Sequence, residues 1–311
     1  MVELVQEGEI MKKIFLYTLA ILSCMTLFAC GQANNEEIEN DDPIVEEKEE
    51  LATVTEKVVY EDNELIVTVK ESVIGFAENQ FMFPLNLSFK NKTNTELTVS
   101  EECVLINDVF VEHNYFLNVT MNPKETVEYE WYFEENNYKR TGIHTIGSIS
   151  FGLIKYEKNG NDYKTSRTDM IRIESDHNDY VQKMNTEGTV LIDEQGFKIV
   201  AQEAELDVEG EKEYNCWFYI ENNTDKGTWF QIEKMSVNGF VIKTSTMPRD
   251  YVPANTKGYK SILFTEDDIE KYGLNPIDRM YIEVAVLEDL GPHSYGEEII
   301  KNRSVKVEYG E

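Results

Sequence analysis

The chain is poor in positive charge. Its 29 Lys and Arg face 59 Asp and Glu, a formal net charge of −30. Such a surface repels nucleic-acid phosphates and anionic head groups, so no nucleic acid is expected as a partner. Cysteine is scarce as well. Of the four present, Cys24 and Cys30 fall in the N-terminal stretch and only Cys103 and Cys216 remain beyond it. One pair is no disulfide framework, and no CxxC or Cys/His spacing points to zinc. Both lie in expected strands of different halves, which favours two buried thiols. The four histidines, His113, His144, His177 and His293, are scattered without HExxH spacing. A GxSxG elbow, a P-loop and a GxGxxG turn are missing. Acidic pairs are too common here to single out a glycosidase dyad. Asp267–Asp268 and the group Asp207, Glu209 and Glu211 lack a DxDxDG pattern and read as solvated charge. Long amphipathic helices are absent, and beyond the N-terminal stretch no run is apolar enough to span a bilayer. No catalytic residue, metal or cofactor is expected, and the chain reads as non-enzymatic.

What is present begins with Lys12-Lys13, the apolar run Ile14–Leu22, and then Leu27-Phe28-Ala29-Cys30-Gly31. The run is shorter than the roughly 20 residues that cross a bilayer as a helix. Basic start, apolar middle and a small residue before the cleavage point make a secretory signal. It resembles the signal of bacterial lipoproteins, in which the cysteine after the cut is lipidated and becomes the N-terminus. Phe28 departs from that pattern, which has a smaller residue there. The resemblance implies a lipid on Cys30, the membrane as a partner through that lipid, and a place on the extracytoplasmic face of the cell membrane. Residues 1–10 are acidic, which is wrong for a signal. Translation is expected to start at Met11, and Gln6–Glu9 suits a purine-rich ribosome-binding tract upstream. Residues 11–29 are then the signal peptide. Residues 30–57 form an acidic tether, kept unfolded by low hydrophobicity and self-repelling charge.

From Val58 the pattern becomes short alternating apolar runs broken by turn residues, a β signature. Leu65, Val67 and Val69 alternate, as do Leu85, Leu87 and Phe89. Tight hairpins are expected at Ile106–Val109 and Lys158–Asn161. The pattern then repeats. Glu61-Asp62-Asn63 matches Asp193-Glu194-Gln195, Asn91-Lys92-Thr93 matches Asn222-Asn223-Thr224, and Ile106-Asn107-Asp108 matches Val237-Asn238-Gly239. Pro123 and Thr126 match Pro253 and Thr256, and Phe133, Gly142 and Ile146 match Phe264, Gly273 and Ile277. The separations, 132, 131, 131, 130 and 131, barely drift, which marks an internal duplication of whole domains. The fold class is all-β: two tandem immunoglobulin-like antiparallel β-sandwiches of about seven strands each, over 58–174 and 189–309. Residues 175–188 form a polar linker. One helical turn is expected in each copy, at Glu134–Thr141 and Glu266–Tyr272. The strongest part of the pattern is Val237-Asn238-Gly239 followed by Val252–Thr256 and Phe264, Ile269, Gly273-Leu274 and Ile277. It resembles uncharacterised Gram-positive surface lipoproteins with tandem immunoglobulin-like domains, a resemblance that implies fold and location but no activity.

One feature rises above this background. Alignment of the copies places Cys216, Phe218 and Ile220 on the core face with Leu85, Leu87 and Phe89. The opposite face carries Trp217 and Tyr219 where the first copy has Asn86 and Ser88, and Trp229 where it has Thr98. Two readings follow. The aromatics are covered by the other domain, the linker or a loop, or they form a platform for a protein or glycan ligand. The expected function is a membrane-anchored binding or interaction module at the cell surface. An accessory to an extracytoplasmic enzyme or envelope assembly, or a structural spacer, is the alternative.

Overall fold

The computed structural model describes residues 51–76, 82–111, 115–134, 141–160, 162–206, 213–242, 249–274 and 276–308. The signal, Cys30 and the acidic stretch to residue 50 lie outside them, as does most of the helical turn expected at 134–141. All described residues belong to the compact unit Glu47–Glu311. The fold is all-β, with one short helix among the described residues.

The first half supplies twelve strands: β1 (Ala52–Val54), β2 (Lys57–Glu61), β3 (Leu65–Val69), β4 (Ser72–Ile74), β5 (Met82–Asn91), β6 (Leu97–Ile106), β7 (Val109–Phe110), β8 (Asn118–Met121), β9 (Thr126–Glu134), β10 (Ser148–Asn159), β11 (Asp162–Arg167) and β12 (Ile171–Glu174). The second supplies β13 (Thr189–Glu194), β14 (Phe197–Leu206), β15 (Tyr214–Asn222), β16 (Thr228–Val237), β17 (Phe240–Val241), β18 (Arg249–Val252), β19 (Thr256–Phe264), helix α1 (Glu266–Tyr272), β20 (Arg279–Gly291) and β21 (Ser294–Glu308). In the first half, β2-β3-β5-β9 form one sheet and β11-β10-β6-β7 another, with β8 added on β6 and β12 on β10. The second half repeats this as β13-β14-β15-β19 and β21-β20-β16-β17, with β18 on β16. Pairing of β5 with β9 and of β6 with β10 makes the chain cross between the two sheets, as in immunoglobulin-like sandwiches.

Period-2 alternation builds each core. Leu65, Val67, Val69, Leu85, Leu87 and Phe89 are fully buried, and so are their counterparts Cys216, Phe218 and Ile220 to within 2%. Trp131, Phe133, Phe83 and Phe151 stack beneath them in the first module. The second core is built around Phe218, Phe230 and Phe264. No disulfide joins the halves: Cys103 and Cys216 are free thiols, and burial pushes Cys103 up to about 12.

The duplication extends to single hydrogen bonds. Asn91 donates to the carbonyls of Thr95, Met121 and Asn122 and accepts from the N–H and hydroxyl of Thr93. Asn222 donates to Lys226, Val252 and Pro253 and accepts from Thr224 in the same way. Both side chains are fully buried. Each ties a strand end to the turn after it and to a loop some thirty residues on. Asn107 and Asn238 open the β6–β7 and β16–β17 hairpins at φ 54° and 50°, left-handed values that Asn tolerates. Their side chains accept from Gly147 and Ser148, and from Asp278 and Arg279, respectively.

Two expectations need correction. The tether ends earlier than residue 57, because β1 pairs with β4 and Ala52 and Val54 are fully buried. Alternating small apolar residues at 52 and 54 suffice to seat that strand against Ile74. Residues 175–188 hold no strand, yet they are no loose linker. Ser175 and Gln182 are buried, and Gln182 donates to the Gly142 carbonyl. The tandem modules also share a sheet. Strand β7 pairs in parallel with β19, joining the two modules in one ten-stranded sheet. Close approach there depends on Gly258, where a Cβ would lie 2.2 Å from the Phe110 carbonyl oxygen. On one face of this sheet Val109 belongs to the first core together with Val200, Tyr219 and Tyr259. On the other face Leu105 and Phe110 join the second core.

Two carboxyl environments differ sharply. Lys155, 5% exposed, reaches Asp62 at 2.5 Å and Glu64 at 2.6 Å. Burial would raise Asp62, but bonds from Lys155, Tyr60 and the N–H groups of Glu64 and Leu65 hold it down at about 2. Glu101 stands where the second module has the fully buried Ile232, and it has no ion pair of that quality. Desolvation pushes it up to about 7, against a bond from the Leu117 N–H and the charge of Lys260. The folded chain therefore holds a proton that the unfolded chain releases from about pH 4.5 upward. Stability is greatest on the acid side of this window and falls as pH rises toward 7, by up to about 3 kcal/mol. Urea midpoints at pH 5 and pH 8 should differ less in Glu101→Gln than in the parent. Equal shifts in both would show that Glu101 titrates normally.

Candidate functional site

The three aromatics singled out from the sequence separate into two places. Trp229, on β16, joins a clasp between the modules. Its indole N–H donates to Asp289 at 3.1 Å and its ring lies 5.6 Å from Tyr251. Arg167 of β11 pairs with Glu102 and Asp289 and lies 4.5 Å over the Tyr251 ring. Nearby, the Tyr156 hydroxyl meets His293 at 2.7 Å, at the tip of the β20–β21 hairpin. Burial raises Tyr251 to about 12, with the Arg167 charge opposing the rise. This is a structural assembly in which Asp289 takes both Arg167 and Trp229 as partners.

Trp217 and Tyr219 lie on the face of β15 turned from the second core. Tyr219 is covered, at 2% exposure, so it is no part of an open platform. It packs 5.9 Å from Tyr259 and donates to Glu221, and burial raises its phenol well above the usual range. Its cover is the first module's core, which it joins with Val109, Val200 and Tyr259, while residues 182–189 form a strap tied to Gln202 of β14 and Tyr259 of β19. The Tyr259 hydroxyl donates to the Asn185 carbonyl at 3.0 Å and accepts from the Asn185 N–H at 2.8 Å. Gly188 adopts φ 140°, and a Cβ there would lie 2.2 Å from the Ala201 carbonyl, so the strap lies flat on β14 only with glycine.

Trp217 is half-buried and lines a groove of about 700 Å³. A β-bulge makes the room. Cys216 pairs with Ala204 and Phe218 with Ala201, so Gln202 and Glu203 oppose Trp217 as the extra residues. The strap residues Asn185, Glu187 and Thr189 form one wall, and Tyr214, Pro276 and Ile277 form the other end. A second groove of about 550 Å³, lined by His144, Tyr180, Gln182 and Met184, lies across the Asn185–Tyr259 pair. The first groove combines aromatic rings, two amide side chains and the carboxylates of Glu187, Glu203 and Glu308 without a described cation among its lining. Its chemistry is stacking and hydrogen bonding. No group of three or more metal-ligating side chains occurs among the described residues. No described helix is long and apolar enough to cross a membrane.

The bulge and the strap are the parts that reading strand by strand missed. A signal existed: alternation through Phe197, Ile199 and Ala201 slips by one residue before Ala204. The clasp left no such trace, because Arg167, Trp229, Tyr251 and Asp289 come from four separate strands.

No family model and no curated protein matches the chain. Among solved structures, red sea bream transglutaminase aligns at 12% identity over 81% of this chain, with TM-score 0.23. The chain spans only 32% of that enzyme. The SafA pilin of Salmonella enterica in complex with the SafB chaperone aligns at 12% identity over 75% of this chain and 100% of that one, with TM-score 0.20. A GH2 beta-galacturonidase from Eisenbergiella tayi, bound to galacturonate, aligns at 7% identity over 85% and 42%, with TM-score 0.20. Likenesses at this level assign neither a family nor an activity.

Proposed function

We propose that this chain is a lipid-anchored, non-enzymatic binding protein of the extracytoplasmic cell surface, with the groove beside Trp217 as its ligand site. The signal-like stretch ending at Cys30 supports the anchor. The observation that carries the binding role is the groove itself: an indole opposite a bulge, ringed by Asn185, Gln202, Glu187 and Glu203. Aromatic rings with convergent amides and carboxylates suit a glycan, whose apolar ring faces stack while its hydroxyls are hydrogen-bonded. A protein segment is the other ligand the groove would accept.

The test is titration of the purified chain with soluble cell-wall glycan fragments, followed by tryptophan fluorescence. Trp217→Ala and the groove-wall variant Glu203→Ala should each weaken binding at least tenfold. Unaltered binding by a destabilised Trp217→Ala would make Trp217 a packing residue and sink the site. In cells, Cys30→Ser should move the chain from the membrane fraction to the medium. Retention in the membrane would remove the lipid anchor from the proposal.

A further inference from the structure

The two grooves meet at one place. Asn185 and Tyr259 line both, and the pair of hydrogen bonds between the Asn185 backbone and the Tyr259 hydroxyl forms a rib at the meeting point. The rib is fastened on either side. On one, Gln202 donates to the carbonyls of Asn185 and Glu187. On the other, the buried Gln182 donates to the Gly142 carbonyl.

The strap sets opposite charges on the two sides of this rib. Lys183 lines the second groove and Glu187 the first, each two residues from Asn185. Glu203, an extra residue of the bulge, adds a second carboxylate to the first groove. All three side chains are exposed, and among the described residues none of them has an ion-pair partner. The described lining of the second groove holds no carboxylate, and that of the first holds no Lys or Arg. The backbone from Lys183 to Glu187 spans at most about 14 Å. Each groove also offers an aromatic ring, Trp217 in the first and Tyr180 in the second. Strand β15, which carries Trp217, is paired along both edges, so an extended peptide finds no ladder to join there. Sugar rings need no ladder: they stack on aromatic faces and bond through their substituents.

We propose that the two grooves are subsites of one trough for a short zwitterionic glycan, with an amine-bearing sugar over Glu187 and Glu203 and an acid-bearing sugar over Lys183. The trough rests on the reading of the Trp217 groove as the ligand site, and it gives that ligand a direction. The probes are four forms of one amino-sugar tetrasaccharide: fully N-acetylated and neutral, with a free amine at one end, with the other end oxidised to a carboxylate, and with both. Each is titrated calorimetrically into the purified chain. Each charged end should tighten binding about two- to fivefold at low salt, and the gain should shrink as salt is added. Glu203→Gln should erase the gain from the amine, and Lys183→Gln the gain from the carboxylate. Lys183→Glu should turn the carboxylate's gain into a loss. Circular dichroism checks that each variant is folded. If all four forms bind equally, the Trp217 groove stands and the charged trough does not exist. If the carboxylate's gain survives in folded Lys183→Gln, the acid sits elsewhere and the second groove is no subsite. If no glycan form binds but a five-residue peptide with free termini does, the occupant is a peptide and the glycan is excluded. If none of these probes binds, the Trp217 groove and the trough fall together.

Discussion

Asn222→Ala is expected to lower the unfolding free energy by about 3 kcal/mol or more, and Asn91→Ala by a similar amount. Each amide is fully buried and donates to three backbone carbonyls while its oxygen accepts from a threonine N–H and hydroxyl. Alanine removes every one of these partners at once. A buried polar group left without its partner costs about 1–3 kcal/mol, and water entering the vacated space recovers only part of that. Aspartate is nearly isosteric, but it keeps only the accepting half and turns a carboxylate oxygen toward three carbonyls. Asn222→Asp should therefore be at least as damaging at neutral pH. Urea unfolding followed by far-UV circular dichroism measures the loss. A change under about 1 kcal/mol for Asn222→Ala would show that the loop carbonyls of Val252 and Pro253 are satisfied equally well by solvent.

The sequence carried the duplication because strand alternation and hairpin asparagines are local signals. Asn91 and Asn222 served there only to fix the register of the two copies. Their role as knots depends on carbonyls some thirty residues away, which no local pattern reports. The outward direction of Trp217 and Tyr219 was legible for the same reason as the core: side chains alternate along β15. Whether they are covered was not, since Tyr219 is buried by joining the first module's core beside β7, and the neighbouring strap has no periodicity and holds Tyr259 through backbone atoms of Asn185. The bulge at Gln202 and Glu203 was half-legible, as a slip in alternation. The fused sheet was the least visible feature. Two residues of β7 are too short a strand to announce themselves, and the sole trace was a glycine at 258 where the first copy has Val127. The acidic composition misled at one boundary. Charge up to Glu50 hid the buried Ala52 and Val54.

Gly258→Val is expected to break the joint between the modules and to cost about 3–5 kcal/mol of stability. Valine is a far better strand residue than glycine, so propensity alone would make this substitution stabilising. The sign is reversed by what the side chain meets: a Cβ at 258 lies 2.2 Å from the Phe110 carbonyl oxygen and 2.6 Å from the Phe110 ring. The first of these is backbone and cannot swing aside, so β7 has to leave β19. Phe110 and Leu105, now 2% and 4% exposed, would then lose their place over the second core. Returning two such side chains to water costs about 1.5–3 kcal/mol each. The clasp at Arg167, Asp289 and Trp229 and the strap at Tyr259 stay in sequence, but they would have to hold the modules without the shared sheet. Unfolding in urea should change from one transition to two, and trypsin should cut the strap at Lys183 far faster than in the parent. Gly258→Ala is a milder case, carrying only the Cβ, and should lie between the two. A single transition at or above the parent midpoint for Gly258→Val would mean that the β7–β19 pairing adds nothing to the union of the two modules.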